Sequence, residues 1–215
     1  MNRLTDNLDS IADQIRLSFS AKDAARERAL PLCREAIRHC GKAIRTIHRH
    51  EFDQATELLQ SARNLLEEAR QAVTAYSELS NTSFIRDAQK EFAEGSITLA
   101  LVTGNQPPSP DELGTDPAAY LNGLGEAVGE LRRYLLDSIR RGDLSRGEEL
   151  LKAMDDIYNI LVTMDFPEAI TGGLRRTTDM VRGVLERTRS DLTLAMRQKD
   201  LEIRLEEFRG KSSVD

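Results

Sequence analysis

Apolar residues recur every three or four positions along nearly all of this chain, and that period decides the backbone before any other feature does. Leu58, Leu59, Ala62, Leu65, Leu66, Ala69 and Val73 share one face of a stretch running from Asp53 to about Glu78. Comparable stretches run from Arg3 to Ala29, Leu32 to Arg49, Phe84 to Thr103, Pro117 to Arg141, Asp143 to Thr163 and Gly173 to Phe208. No segment reads as a convincing strand. Pro31 is expected to kink or break the first helix. Asp53 and Asp116 are predicted N-caps, the latter followed by Pro at the first helical position. Gln106 to Asp116 (QPPSPDELGTD) is the clear loop. The pattern predicts an all-α, single-domain bundle of six or seven helices over residues 1–209, with a tail at 210–215 that frays.

Composition narrows the class. With 215 residues the chain can bury a real core, and 13 Gly, 6 Pro and no Trp suit helices. A disulfide framework and a low-complexity chain are excluded. The longest uncharged run, Gly95 to Pro110, turns polar after Val102, so no membrane span is expected. MNRLTDNLDS lacks the apolar stretch of a secretory signal, so a cytoplasmic protein is expected. Cys33 and Cys40, seven residues apart on a helix, would lie about 10 Å from each other, too far for a disulfide. They read as core thiols.

The formal net charge of −6 conceals an uneven distribution. Between Lys22 and His50 stand Lys22, Arg26, Arg28, Arg34, Arg38, Lys42, Arg45 and Arg49 against Asp23, Glu27 and Glu35, a local +5. From Glu51 to Ala100 nine acids face four bases, a local −5. At about 100° per residue, Arg34, Arg38, Lys42, Arg45 and Arg49 fall within a sector of about 80°. Such a stripe is a phosphate track or a solvated face. Like charges one turn apart cost roughly 0.2–0.5 kcal/mol per pair, and tolerating that cost favours the track.

Carboxylates form the second pattern. Asp87, Glu91 and Glu94 lie within about 60° on a helix whose apolar residues point nearly every way, so that helix is predicted to be largely buried. Buried carboxylates need partners: arginines from neighbouring helices, or a cation. In GLGEAVGELRR, Glu126 and Glu130 stand one turn apart, with Gly125 and Gly129 beside them to admit a close helix. Periodicity makes that stripe look solvated. Two carboxylate pairs on separate helices can still converge on divalent ions, and an all-oxygen set suits Mg²⁺ or Mn²⁺. No His follows a Glu by three, so a ferritin-like di-iron site is absent. The chain also lacks a P-loop, Gly-x-Ser-x-Gly, His-Glu-x-x-His and Cys-x-x-Cys.

REAIRHCGKAIRTIHR (Arg34 to Arg49), QKEFAEG (Gln89 to Gly95), YLNGLGEAVGELRRYLLDSIRRGD (Tyr120 to Asp143) and DFPEAITGGLRRTTDMVRGVLERTRSDL (Asp165 to Leu192) together resemble the translin family. The resemblance spans residues 30 to 192, in the family's order, and is nearest to the prokaryotic, archaeal members. It implies an all-α bundle assembling into a hollow homo-oligomer, an octamer, and it admits co-assembly with a second family subunit. It further implies binding of single-stranded RNA or DNA and, in the catalytic branch, metal-dependent endoribonuclease activity. Glu91, Glu94, Glu126 and Glu130 fall on that branch's acidic positions. They are therefore the expected catalytic residues and the ligands of Mg²⁺ or Mn²⁺, which activates water for phosphodiester hydrolysis. Glu126 stands where the family usually has Asp, and Gly95 where it usually has Ala. Arg34, Arg38, Lys42, Arg45, His48, Arg49, Arg132, Arg133, Arg175 and Arg176 are the expected nucleic-acid contacts. The alternative is a non-catalytic nucleic-acid-binding scaffold of the translin type.

Overall fold

Helix α1 runs unbroken from Leu8 to Ile47 through Pro31, where the sequence predicts a kink or break. Proline removes one backbone hydrogen bond and crowds the preceding turn. Here Pro31 and Glu27 are both exposed, so water reaches the freed carbonyl. Ala25, Ala29, Cys33, Ala36, Cys40 and Ala43 stay buried along one face across the proline, and that continuous seam holds the helix together. Its small side chains let α1 lie close against its neighbours.

The computed structural model describes residues 5, 7–80 and 82–212. After α1 come α2 (Phe52–Val73), α3 (Ser77–Ser80), α4 (Ser83–Val102), α5 (Pro110–Leu113), α6 (Pro117–Arg140), α7 (Gly147–Val162), α8 (Glu168–Thr171) and α9 (Leu174–Ser212). Six of these are long and three are single turns; no strand occurs among the described residues. The core joins Ile47 of α1, Leu59 of α2, Phe92 and Ile97 of α4, Leu131 of α6, Met154 of α7 and Val181 of α9. A smaller cluster of Ala29, Cys33, Ala69, Val73, Ile85 and Ala88 closes one end. Both cysteines are free and buried, and burial pushes the Cys33 thiol up to about 11. No helix among the described residues is long and apolar enough to cross a membrane.

Several boundaries differ from the sequence reading for local reasons. Asp53 is not the cap of α2: His50 adopts a left-handed φ of 62° and turns the chain, so the helix starts at Phe52 with Glu51 in the cap position. Asp116 does cap α6, its carboxylate accepting from the N–H groups of Ala118 and Ala119. The long loop contains α5, closed by a capping box between Ser109 and Glu112. Asp143 folds back onto Ser145, which delays α7 to Gly147. Helix α9 continues to Ser212; the remainder of the expected tail lies outside the described residues. The apolar run from Leu150 to Val162, a candidate oligomer surface by sequence, buries Leu150, Leu151, Met154, Ile157 and Leu161 in its own bundle and leaves Ile160 and Val162 exposed. Most other large exposed apolar side chains gather at the start of α1 (Leu8, Ile11, Ile15, Leu17, Phe19) and the end of α9 (Leu194, Leu201, Ile203, Leu205, Phe208).

Candidate metal centre and nucleic-acid interface

Helices α4 and α6 meet at Gly123. A Cβ at that position would lie 2.6 Å from the Lys90 carbonyl oxygen, 2.9 Å from Ala93 Cβ and 3.0 Å from the Glu94 backbone nitrogen. Only glycine allows this approach, and it brings Glu126, one turn further along α6, against the acidic face of α4. Carboxylate oxygens of Glu91, Glu94 and Glu126 lie within 4.8 Å of one another. Two ligands opposite each other on Mg²⁺ would stand about 4.2 Å apart, so small rotamer changes close the set around an ion. Three hard oxygen donors at this separation fit a divalent cation.

Burial and mutual repulsion tune these groups. Glu94 is 8% exposed. Burial first, and then the charges of Glu91, Glu126 and Glu130, push its carboxyl up to about 8, with Lys90 opposing. Burial also raises Glu91; Lys90 pulls it down while Glu126, Asp87 and Glu130 push it up. Lys90 is the resident counter-charge, its ammonium donating to Glu126 at 2.8 Å and lying 3.8 Å from Glu91. Burial disfavours the charged amine, but the hydrogen bond and charge of Glu126, with Glu91 and Glu94, raise Lys90 overall. On α1, burial and then the charges of Glu91 and Glu94 push the Cys40 thiol up to about 12, leaving it a neutral core group.

Glu130, the fourth predicted carboxylate, lies outside that group of three but near enough to act on Glu91 and Glu94. Its Oε2 lies 2.5 Å from His48 Nε2 and 3.8 Å from Arg133. The helical register puts His48 at the edge of the basic stripe, about 80° from its centre. Its side chain is 5% exposed, and its Nδ1 has no partner. His48 is therefore a buried partner of Glu130 and is not displayed with the arginines. Periodicity made the stripe of Glu126 and Glu130 look solvated; in the fold both are half-buried, because α4 and the end of α1 cover them.

The other predicted contacts divide by what already holds them. Arg34, Lys42, Arg45 and Arg49 are exposed and pair with no carboxylate among the described residues, while Arg38 pairs with Glu35. Arg132 ties α6 to α9, donating to Asp191 at 2.7 Å and to Thr188 at 3.0 Å. Arg133 is exposed beside Glu130. Arg175 and Arg176 open onto two different clefts at the start of α9. Gly125 does admit a close neighbour, Thr177 of α9, but Gly129 faces open space. Sequence reasoning missed Lys90 and Gly123. Lys90 sits inside the QKEFAEG segment and Gly123 three residues before Glu126, so both were within reach of a helical-wheel argument.

No family model matches the chain. An uncharacterized protein of Methanocaldococcus jannaschii is 31% identical over 172 residues, 80% of this chain and 76% of that protein. The fold matches that in the AfC3PO–duplex RNA complex with a TM-score of 0.78 at 35% identity, covering 87% of this chain and 97% of that one. AfC3PO in its own crystal structure gives 0.77 at 34% identity with the same coverage. Apo-NeC3PO gives 0.74 at 18% identity, covering 90% of this chain and all of that one, a likeness of fold alone.

Proposed function

The chain belongs to the translin family that these C3PO proteins represent, and from that premise we propose that it is a metal-dependent endoribonuclease acting inside a hollow homo-oligomer, an octamer. The observation that carries the reading is the convergence of Glu91, Glu94 and Glu126 from two helices into one oxygen-lined cluster. Mg²⁺ or Mn²⁺ bound there would supply positive charge for an attacking water and for the developing charge on phosphorus. Glu91, Glu94 and Glu126 would hold the ion, Glu94 in its deprotonated form, and the cation would replace Lys90 as the counter-charge of Glu126. His48 holds Glu130 at the edge of the cluster. AfC3PO has been solved in complex with duplex RNA, and the exposed Arg34, Lys42, Arg45 and Arg49 give this chain a surface suited to a nucleic-acid backbone. Such contacts position a strand without reading its sequence, and single-stranded RNA is the proposed substrate.

A specific observation favours a second reading. Lys90 already neutralises Glu126, as in a structural ion pair, and a chain that kept this pair would bind RNA without cutting it. One experiment separates the two. Purified protein is incubated with a labelled single-stranded RNA and a matching duplex, with EDTA, Mg²⁺ or Mn²⁺. The nuclease reading expects single strands to be cut only with metal, and Glu91→Gln or Glu94→Gln to abolish cutting while RNA is still retained. Retention without any turnover by wild type supports the scaffold. Cleavage that survives both substitutions removes the assigned site.

A further inference from the structure

Beside the carboxylate cluster, a cavity of about 550 Å³ opens between α4, α6 and the turn that joins α8 to α9. That size suits one nucleotide. Arg86 from α4 and Arg176 from α9 line it from opposite elements, and neither pairs with a carboxylate among the described residues. The two cations of the cavity wall are thus uncommitted, whereas Lys90, on the same wall, is held by Glu126. Asp87 lines the cavity as an exposed carboxylate and forms no ion pair with either arginine.

The turn itself is built as a cradle. Gly172 and Gly173 both have left-handed φ, 60° and 93°, which side chains resist. A Cβ on Gly172 would stand 4.0 Å from both Arg86 Nη1 and Asn122 Nδ2. Asn122, 7% exposed, spends its amide on the turn. Its nitrogen donates to Ala118 and Thr171 carbonyls at 2.8 and 2.9 Å, and its oxygen accepts from Thr177 at 2.7 Å. Of the amides at the start of α9, that of Gly173, which lines the cavity, has no backbone acceptor among the described residues, and it sits at the positive end of a long helix, which favours anions. Met180 adds an apolar surface on the same cavity.

We infer that this cavity is a nucleotide subsite, in which Arg86 and Arg176 clamp a phosphate of the RNA one position from the bond cut at the carboxylate cluster. The inference rests on the RNA-binding reading above. Glu126 belongs to both places, lining the cavity and contributing to the cluster, so a strand held here has its next phosphate near the carboxylates. Two planar guanidiniums and the Gly173 N–H suit phosphate oxygens, and Met180 suits the ribose or base. The phosphate held is either a terminal monoester or an internal diester.

Equilibrium binding of two fluorescent RNA octamers, one 5′-phosphorylated and one 5′-hydroxyl, tests this in EDTA, where no cutting interferes. Circular dichroism checks that each variant is folded. Arg86→Gln and Arg176→Gln are each expected to weaken binding about tenfold, and Lys152→Gln, an equal loss of charge at an exposed site on α7, by about twofold at most. A larger loss for the phosphorylated octamer identifies a chain end as the occupant; equal losses identify an internal phosphate. The subsite is overturned if wild type binds RNA and the two arginine variants bind no more weakly than Lys152→Gln. Failure of wild type to bind either octamer at low salt overturns the RNA reading and the subsite with it. If wild type binds with the expected arginine dependence but never cuts with Mn²⁺, the subsite stands and the nuclease reading falls.

Discussion

An ordinary glutamate is ionised at neutral pH, whereas burial among other carboxylates holds Glu94 up to about 8. A carboxyl raised above its unfolded value of 4.5 stabilises the fold fully below that value, and this contribution is lost as pH rises through about 8. Without metal, wild type should therefore melt progressively lower from pH 5 to pH 9, and Glu94→Gln should flatten that decline. At pH 9 the variant is expected to melt higher than wild type, by roughly 2–4 °C for each ~1 kcal/mol recovered in a chain of this size. Differential scanning calorimetry in EDTA measures it, and parallel slopes for the two proteins would rule out Glu94 as the titrating group. Added Mn²⁺ should restore wild type more at pH 8.5 than at pH 6, because binding has less proton to displace. The identity of these carboxylates was legible in the sequence, since the QKEFAEG and GLGEAVGEL segments carry them. Their state was not: the raised Glu94, the Lys90 counter-charge and the capture of Glu130 by His48 all depend on contacts between distant segments.

At the level of elements, the meeting of α4 and α6 depends on one missing side chain. Gly123→Ala would drive a methyl group into the Lys90 carbonyl, and neither backbone can yield without separating the two helices. We expect a loss of about 1–3 kcal/mol in urea unfolding, together with weaker Mn²⁺ binding as Glu126 withdraws from Glu91 and Glu94. Gly129→Ala, six residues on and facing open space, should instead stabilise by about 0.5–1 kcal/mol, since it removes only unfolded-state entropy. If the two variants behave alike, close helix approach does not build the cluster. The same level explains what periodicity can and cannot tell. It located all six long helices, because each buries one face. It misjudged Pro31, because a proline costs little on the exposed side of a helix whose buried seam continues past it. The basic stripe of α1 is likewise an element-scale property. Arg45→Gln should lower the slope of log affinity for RNA against log salt by about 1, with no change in sequence preference. An unchanged slope would remove Arg45 from the interface.

Among the described residues, two apolar arms find no partners in the chain's own bundle. Glu130, which binds His48 just after α1, and Arg132, which holds Asp191 of α9, lie in the same half of α6, so the arm of α9 leaves the bundle at the end where α1 finishes. The arm at the start of α1 therefore leaves at the other end, some 60 Å away along a 40-residue helix. Leu194, Leu201, Leu205 and Phe208 fall within about 60° on the α9 arm, an exposed apolar edge interrupted at Arg197 and Gln198. Fully burying such side chains is worth roughly 1.5–3 kcal/mol each, enough for this edge to hold copies together. Arms at opposite ends can join copies like to like or end to end, and a closed assembly uses such contacts repeatedly. Leu201→Glu with Leu205→Glu, at positions that touch nothing in the chain's own core, should leave helicity and melting of the bundle intact. Light scattering should then report a drop from the proposed octamer to dimers or monomers, with metal-dependent cutting lost as well where the proposed enclosed interior is required. Undiminished mass in that variant would exclude the α9 arm from the interfaces, and assembly would have to rest on the α1 arm or on the exposed Ile160, Val162 and Phe166 near the end of α7.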